Sequence, residues 1–178
     1  AGVDLGDYVR DGALLARCQL HALEFYGHDA VFALMDVGVE TEALGSRLRY
    51  SRHGYPTVRT HALARSADLD ALSVPDPHSD ARMPELLRAA VILHHEVGDE
   101  VLVVGCVVGP MTLATQLLGV ERALFLAIDD PDAFARLLDF AAAVAIRFGM
   151  AQLASGVHLP LVFDPSASPA LIPAPFFR

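Results

Sequence analysis

The chain has 178 residues, a length that predicts one domain with a substantial buried core. Its net charge of −9 and its lack of an arginine-rich cluster argue against nucleic-acid binding, because that binding depends on grouped cations that neutralise phosphates. Hydrophobic residues make up 53% of the sequence, yet no uninterrupted apolar run approaches the ~20 residues needed to cross a bilayer. This pattern predicts buried parallel strands rather than a membrane span.

The cysteine content and the amino end bear on the cellular compartment. Cys18 and Cys106 are too few for a disulfide framework. No signal peptide precedes the first predicted helix, so the sequence favours a reducing cytoplasm. The first residue is Ala rather than Met, and we therefore expect the chain to begin inside a longer protein.

The first part of the chain predicts a helix followed by a strand. Apolar side chains recur at helical spacing over residues 11–26, and Gly27 stands where a left-handed residue would end the helix. Residues 30–35 are predicted to form a buried strand that ends at Asp36. A strand that ends in an aspartate is of interest in parallel α/β enzymes, because their chemistry is carried at the carboxyl ends of strands.

The middle of the chain predicts a hairpin and a second helix. Apolar and polar residues alternate loosely over residues 44–63, and the turn-forming segment His53-Gly54-Tyr55-Pro56 lies among them. This pattern indicates a short hairpin. Pro75-Asp76-Pro77 predicts a rigid extended connector. Pro84 is predicted in the first turn of a helix that Gly98 closes.

The last part of the chain continues the alternation of strands and helices. Residues 101–108 predict a second buried strand that ends in Gly109-Pro110. A long helix is predicted over residues 131–155, and a third strand over residues 157–163 leads into the polar loop 164–168. Strand, helix, strand, helix, strand is a parallel α/β pattern.

Six short segments stand out by their order and spacing: residues 29–36, Glu42-Ala43-Leu44-Gly45, Gly109-Pro110-Met111-Thr112-Leu113, Leu118-Gly119, Asp130-Pro131 and Asp164-Pro165-Ser166-Ala167-Ser168. Together they resemble the uroporphyrinogen decarboxylase superfamily, and more closely its corrinoid-dependent methyltransferase branch. The resemblance covers nearly the whole chain. Its most specific piece is the glycine-proline-x-threonine-leucine segment followed by leucine-glycine.

The resemblance implies a (β/α)8 TIM barrel whose upper face binds a tetrapyrrole, or a thiol together with the methyl-corrinoid of a partner protein. A complete barrel usually takes roughly 250 residues. We therefore expect residues 1–178 to form a single domain, the amino-terminal portion of a TIM barrel truncated at both ends. In the methyltransferases zinc is held by a His-x-Cys pair and a later Cys, all expected beyond Arg178. Zinc is thus expected only in a full-length protein, where it would activate a substrate thiol.

The resemblance also bears on the choice between decarboxylase and methyltransferase. Decarboxylases carry an aspartate after the first strand that binds pyrrole nitrogens, and Asp36 matches it. They carry a tyrosine where this chain has Gln116 and a serine where it has Pro165, which counts against tetrapyrrole decarboxylation. Their paired amino-terminal arginines would precede Ala1 and their late histidine would follow Arg178, so those positions decide nothing.

Four residues near predicted strand ends are candidates for substrate binding: Asp36, Thr112, Asp164 and Ser166. Asp36 could instead satisfy backbone amides in a turn. Asp164 and Ser166 could likewise belong to ordinary turns of the loop 164–168. Thr112 could cap the helix that follows Gly109-Pro110 or contact a ligand. Glu42 either faces the site or is a solvated charge in the first turn of a helix.

Other polar residues carry weaker signals. Cys106 and Cys18 are expected to behave as small apolar residues. His94 and His95 are adjacent on a helix and point apart, so they do not form the shared face of metal ligands spaced by four residues. His158 stands where relatives often carry aspartate. We predict no metal site within the chain.

Three hypotheses follow. The first is that the chain is part of a corrinoid-linked methyltransferase that moves a methyl group from a methylcobamide to a thiol or a related small-molecule acceptor. It would work with a corrinoid protein and be inactive as this piece alone. The second is uroporphyrinogen decarboxylation in tetrapyrrole biosynthesis, and the third is a non-catalytic corrinoid-binding or scaffold protein. A partial barrel leaves strand edges unpaired, so we also expect association into oligomers.

Overall fold

The computed structural model of the protein describes residues 2–171. The elements in chain order are α1 (Leu5–Tyr8), α2 (Gly12–Tyr26), β1 (Ala30–Ala33), α3 (Val39–Ala43), β2 (Arg47–Arg49), β3 (Thr57–Thr60), a 3-10 helix (Ser66–Ala71), α4 (Met83–Val97), β4 (Leu102–Val108), α5 (Pro110–Leu118), α6 (Val120–Asp129), α7 (Pro131–Ala154) and β5 (Leu159–Phe163). Strands β1, β4 and β5 form a three-stranded parallel sheet with β4 at its centre. Strands β2 and β3 form the predicted antiparallel hairpin.

Local signals account for the ends of the helices. The carboxylate of Asp11 accepts hydrogen bonds from the amides of Ala13 (2.9 Å) and Leu14 (3.1 Å), which satisfies free donors at the start of α2. Gly27 ends α2 with a left-handed φ of 63°. Asp130 caps α7 through the amide of Ala133 at 3.0 Å. These helices lie where the sequence predicted them.

The register of the sheet leaves the end of β4 uncovered on one side. Strand β1 pairs with β4 only as far as Ala33 opposite Gly105. Strand β5 pairs with β4 up to Phe163 opposite Val108. The last residues of β4 therefore extend past β1, and the chain segment that follows β1 can reach them with its side chains.

The core consists of two groups of buried side chains. One group lies between the sheet and helices α2 and α4, and includes Leu15, Val31, Leu93 and Val103. The other lies among α5, α6 and α7, and includes Leu113, Leu117, Leu137 and Val144. Burying each such side chain stabilises the fold by about 1.5–3 kcal/mol relative to leaving it exposed.

Helix α7 is the central helix of this second group. By length and composition alone it could cross a membrane. Helices α5 and α6 would be long and apolar enough only together, and they meet at an angle of 108°. However, Leu137, Val144 and Phe148 of α7 are at most 1% exposed within the fold. One face of α7 is therefore packed into the core of the fold.

A polar contact joins α7 to the middle of the sheet. The buried amide of Gln152 accepts from the Cys106 amide (2.9 Å) and donates to the Cys106 carbonyl (2.8 Å). A Cβ on the neighbouring Gly105 would lie 2.2 Å from the Gln152 Oε1 atom. A side chain at residue 105 would therefore displace the Gln152 amide from its contact with Cys106.

Candidate functional site

Three of the four candidate residues meet at the carboxyl ends of β4 and β5. The Asp164 Oδ1 atom accepts from both the amide and the hydroxyl of Thr112, each at 2.7 Å. The Asp164 Oδ2 atom accepts from the Met111 amide at 3.1 Å. Asp164 therefore caps helix α5 from the neighbouring strand, and its negative charge is favourable at a helix amino terminus. The cap does not come from Thr112, which was one of the two roles open to that residue.

Ser166 completes this arrangement, which we call the Asp164 cluster: Thr112, Thr115, Asp164 and Ser166. The Ser166 amide donates to the Thr112 hydroxyl oxygen at 3.1 Å. The hydroxyl oxygens of Ser166 and Thr115 lie 3.2 Å apart. Both threonines are buried, whereas Asp164 and Ser166 are partly exposed. The accessible polar atoms of the cluster thus belong to the loop that follows β5.

Asp36 lies outside the Asp164 cluster and forms a buried ion pair. Two nitrogens of Arg82 donate to its carboxylate, at 2.6 Å to Oδ2 and 3.2 Å to Oδ1. The Gly38 amide also donates to Oδ1 at 2.8 Å. The Asp36 side chain is 2% exposed and that of Arg82 is 8% exposed. The aspartate therefore combines the expected turn contact with an ion pair.

Arg82 holds a second acidic residue and the amino-terminal segment. Its Nε donates to Glu42 Oε2 at 2.5 Å, and its Nη1 donates to the Val9 carbonyl at 2.7 Å. Burial opposes the charge of Arg82, but Asp36 and Glu42 outweigh burial and hold the pKa of the guanidinium above its ordinary value. Ala81, just before it, has a left-handed φ of 48°, a costly conformation for a residue other than glycine.

Tyr50 covers the outer side of this ion pair. Its hydroxyl donates to Glu42 Oε1 at 2.6 Å, and the guanidinium carbon of Arg10 lies 3.6 Å from its ring centroid. Burial and then the bond to Glu42 raise the pKa of Tyr50 to about 12. Glu42 is therefore bound by Tyr50 and Arg82 and is not a free solvated charge. We call Asp36, Glu42, Tyr50 and Arg82 the Arg82 cluster.

Glu40 links the region of the Arg82 cluster to the end of β4. The side chain is fully buried, and its Oε1 accepts from the Val108 amide at 2.8 Å. Burial, the largest cause, and the charge of Asp36 raise the pKa of Glu40 to about 7, against the backbone amides and Arg82, which lower it. Sequence reasoning missed Glu40 and Arg82. Glu40 lies between two segments of the family resemblance, residues 29–36 and 42–45, and neither Glu40 nor Arg82 carried a signal of its own.

The cysteines and histidines do not form a metal centre. Among residues 2–171, no three histidine, cysteine, aspartate or glutamate side chains form a group able to hold a metal ion. Burial, with the nearby charges of Glu40 and Asp36, raises the pKa of Cys106 to about 12, so it remains a thiol. Cys18 is only half-buried. These residues do not fit a zinc site.

His94 and His158 lie at the opposite, amino end of the strands. Their rings meet edge to face with centroids 5.4 Å apart. The His158 Nδ1 atom accepts from the Val103 amide at 3.1 Å, which explains a histidine at this position by a structural contact. The pair is therefore separate from the two clusters at the carboxyl ends.

Comparisons with known proteins match the whole chain. The family model for uroporphyrinogen decarboxylase (URO-D) matches residues 1–178. The chain is similar to the methylcobamide:CoM methyltransferase MtaA of Methanosarcina barkeri, with 30% identity over 167 residues that cover 93% of this chain and 49% of that protein. It is also similar to uroporphyrinogen decarboxylase of Alkalilimnicola ehrlichii, with 29% identity over 157 residues that cover 85% and 42% of the two chains.

A solved structure agrees with the sequence comparisons. A methyltransferase from Methanosarcina mazei superimposes with a TM-score of 0.87 at 29% identity, and the match covers 98% of this chain and 54% of that one. The chain spans about half the length of the relatives it matches. The predicted fold class is confirmed, because the parallel strands with intervening helices fit part of a TIM barrel.

Proposed function

The chain belongs to the uroporphyrinogen decarboxylase family, and we propose that it is part of a corrinoid-linked methyltransferase that transfers a methyl group from a methylcobamide to a thiol. Relatives named as methyltransferases support this activity, one from Methanosarcina barkeri and one, a methylated-thiol–coenzyme M methyltransferase, from Methanosarcina mazei. The thiol sulfur would attack the methyl carbon as the cobalt–carbon bond breaks. The electron pair of that bond stays with the corrinoid, and the thiol proton is released.

The burial of Asp36 and its hydrogen bonds are the observation that favours methyl transfer over decarboxylation. The resemblance gives the decarboxylase aspartate the task of accepting pyrrole N–H groups. Here three hydrogen bonds from Arg82 and Gly38 already occupy the carboxylate, and its side chain is 2% exposed. A pyrrole would have to displace Arg82 and leave a buried charge unpaired, which costs about 3–5 kcal/mol.

Gln116 adds to this argument. It stands where the decarboxylases carry a tyrosine, and its side-chain oxygen accepts from the Thr41 hydroxyl. Its carbonyl oxygen lies 2.7 Å from the His61 Nδ1 atom. The residue thereby joins α5 to α3 and to the segment after the hairpin, a connecting role that a tetrapyrrole substrate does not require.

We propose that the two clusters shape a pocket at the carboxyl ends of the strands. Asp36 would set the position of the loop after β1 through Arg82. Thr112 and Asp164 would set the position of the loop after β5. Ser166 and Asp164 would bind the polar end of the methyl acceptor, because these are the partly exposed residues of their cluster.

The remaining parts of the proposal concern the whole protein. Residues 1–178 would be the amino-terminal portion of a single barrel domain. The full-length protein would work in the cytoplasm with a corrinoid protein and a small-molecule thiol, without nucleic acid or a membrane. Zinc, if the full-length protein uses it, would be held by residues outside this chain.

The test uses the full-length protein that contains this chain. Methylcobalamin and coenzyme M serve as probes, and formation of the methyl thioether is followed by mass spectrometry. Uroporphyrinogen is offered in a parallel assay. Thioether formation supports the proposal, whereas stepwise loss of carboxyl groups from uroporphyrinogen would establish the decarboxylase alternative, which relatives at 29% and 31% identity favour. Inactivity in both assays would leave the non-catalytic hypothesis.

A matched pair of variants tests the pocket. Ser166→Ala removes the accessible hydroxyl, and we expect a higher KM for the thiol with a smaller change in kcat. Ser73→Ala changes an exposed serine away from both clusters and serves as the control. Equal KM values for the two variants would remove Ser166 from the pocket.

A further inference from the structure

The Glu40 carboxylate accepts a hydrogen bond that the backbone of a neighbouring strand would normally accept. Strand β1 stops pairing with β4 at Gly105, yet β4 continues to Val108. The Val108 amide, which a longer β1 could have bonded, donates to the Glu40 side chain at 2.8 Å. A side chain from α3 thus holds the end of β4, one residue before the loop that begins at Gly109.

The surrounding charges are unbalanced. Asp36 and Glu42 bind the guanidinium of Arg82, and Glu40 lies close enough to interact with the charges of Asp36 and Arg82. Arg82 directs its hydrogen bonds to Asp36, Glu42 and the Val9 carbonyl. Within the described residues, no side chain donates a hydrogen bond to Glu40. A full negative charge on Glu40 would therefore be buried beside that of Asp36 without its own counter-ion.

We propose that Glu40 is a positioning residue of the site, a proton-binding side chain that joins the loop after β1 to the end of β4. The inference rests on the proposed function only in saying which reaction the loops serve. Both protonation states of Glu40 accept from the Val108 amide, but the ionised state adds repulsion against Asp36. The groups that face Glu40 are Asp36, Arg82 and the neutral thiol of Cys106. Proton loss makes Glu40 a stronger acceptor for the Val108 amide while it adds this repulsion within the loop after β1, so the protonation state of Glu40 changes how the two loops are held together.

The raised pKa of Glu40, about 7, supports this reading. The methyl transfer proposed above releases a proton from the thiol. A carboxyl group that changes charge near neutral pH would make the spacing of the two loops, and hence the fit of the thiol, depend on pH.

The first test needs neither corrinoid nor a full-length protein. The chain itself, labelled with carbon-13 in its glutamate carboxyl groups, is titrated by NMR from about pH 5 to pH 9. We expect one glutamate to titrate near pH 7 and the Val108 amide to shift with the same midpoint. If every glutamate titrates as an exposed carboxyl does, the proposal is overturned, and this holds even if no variant folds.

Two variants assign the signal. Glu40→Gln keeps an oxygen that accepts from the Val108 amide but cannot titrate. The glutamate resonance that titrates near pH 7 and the pH dependence of the Val108 amide shift should therefore both vanish. Glu121→Gln, an exposed change on α6, should leave both in place. If a glutamate still titrates near pH 7 in Glu40→Gln, that signal belongs to another residue and the proposal is refuted.

Activity then separates this inference from the proposed function. In an active full-length methyltransferase, Glu40→Gln should flatten the pH profile of KM for the thiol near neutral pH, with a smaller effect on kcat. An unchanged profile would deny Glu40 its positioning role. A late Glu40 titration in a protein without methyltransferase activity would instead refute the proposed function and leave the proton-binding contact established.

Discussion

Replacing Gly109 by alanine should destabilise the protein through one contact. A Cβ on Gly109 would lie 2.4 Å from the Asp164 Cβ atom and 2.5 Å from its Cγ and Oδ2 atoms. The φ of Gly109 is −71°, which alanine adopts freely, so the backbone at residue 109 adds no strain of its own. Because the nearest atom is a Cβ rather than the tip of a flexible side chain, the backbone of the loop after β5 has to move.

The expected magnitude has two parts. Overpacking of this kind costs about 1–3 kcal/mol. Displacing Asp164 also weakens its three hydrogen bonds to Met111 and Thr112, and loss of a helix cap costs about 0.5–2 kcal/mol. We expect Gly109→Ala to lower the free energy of unfolding by roughly 2–4 kcal/mol.

A double-mutant cycle tests the reasoning by urea unfolding followed by circular dichroism. Asp164→Gly removes the three atoms nearest to the new Cβ, so Gly109→Ala should cost much less in that background. Asp164→Ala keeps the Cβ and should relieve only part of the clash. Gly149→Ala is the control, because its Cβ would lie at an ordinary 3.7 Å from Val107 Cγ1. Additive costs for Gly109→Ala and Asp164→Gly, or equal stability of Gly109→Ala and Gly149→Ala, would refute the argument.

Three further predictions concern the buried charges and the sheet edge. Arg82→Met should cost about 3–5 kcal/mol in unfolding experiments, because it leaves Asp36 buried without its partner; a cost below 1 kcal/mol would contradict the ion pair. Since the pKa of Glu40 rises from 4.5 to about 7 on folding, the folded state binds more protons between these values, so stability should fall as the pH rises through this window. The loss is roughly 3 kcal/mol and should be absent in Glu40→Gln, as unfolding curves at several pH values would show. Strand β5 lies at the edge of the described sheet with Val162 63% exposed, so the chain should associate, and a stable monomer in light scattering would contradict this expectation.

The elements and fold class followed from sequence because their causes are local. Asp11 and Gly27 act on amides and carbonyls of their own helix, and the apolar spacing that defines α2 is visible without any partner. The strand-end positions of Asp36 and Asp164 were also predictable, because each follows an apolar run. The carboxyl ends of parallel strands meet at one edge, so the region of the site could be placed before the structure was known.

The roles of the site residues were decided only by the tertiary structure. Asp164 caps a helix that begins more than 50 residues earlier in the chain, and Arg82 binds Asp36 across 46 residues. Glu40 can accept from the Val108 amide only because β1 stops pairing before β4 ends, a difference set by the packed register of the sheet. Local sequence determines where hydrogen-bonding groups of a helix or strand are left free. Which distant side chain satisfies them depends on the packing of elements that are far apart in the chain.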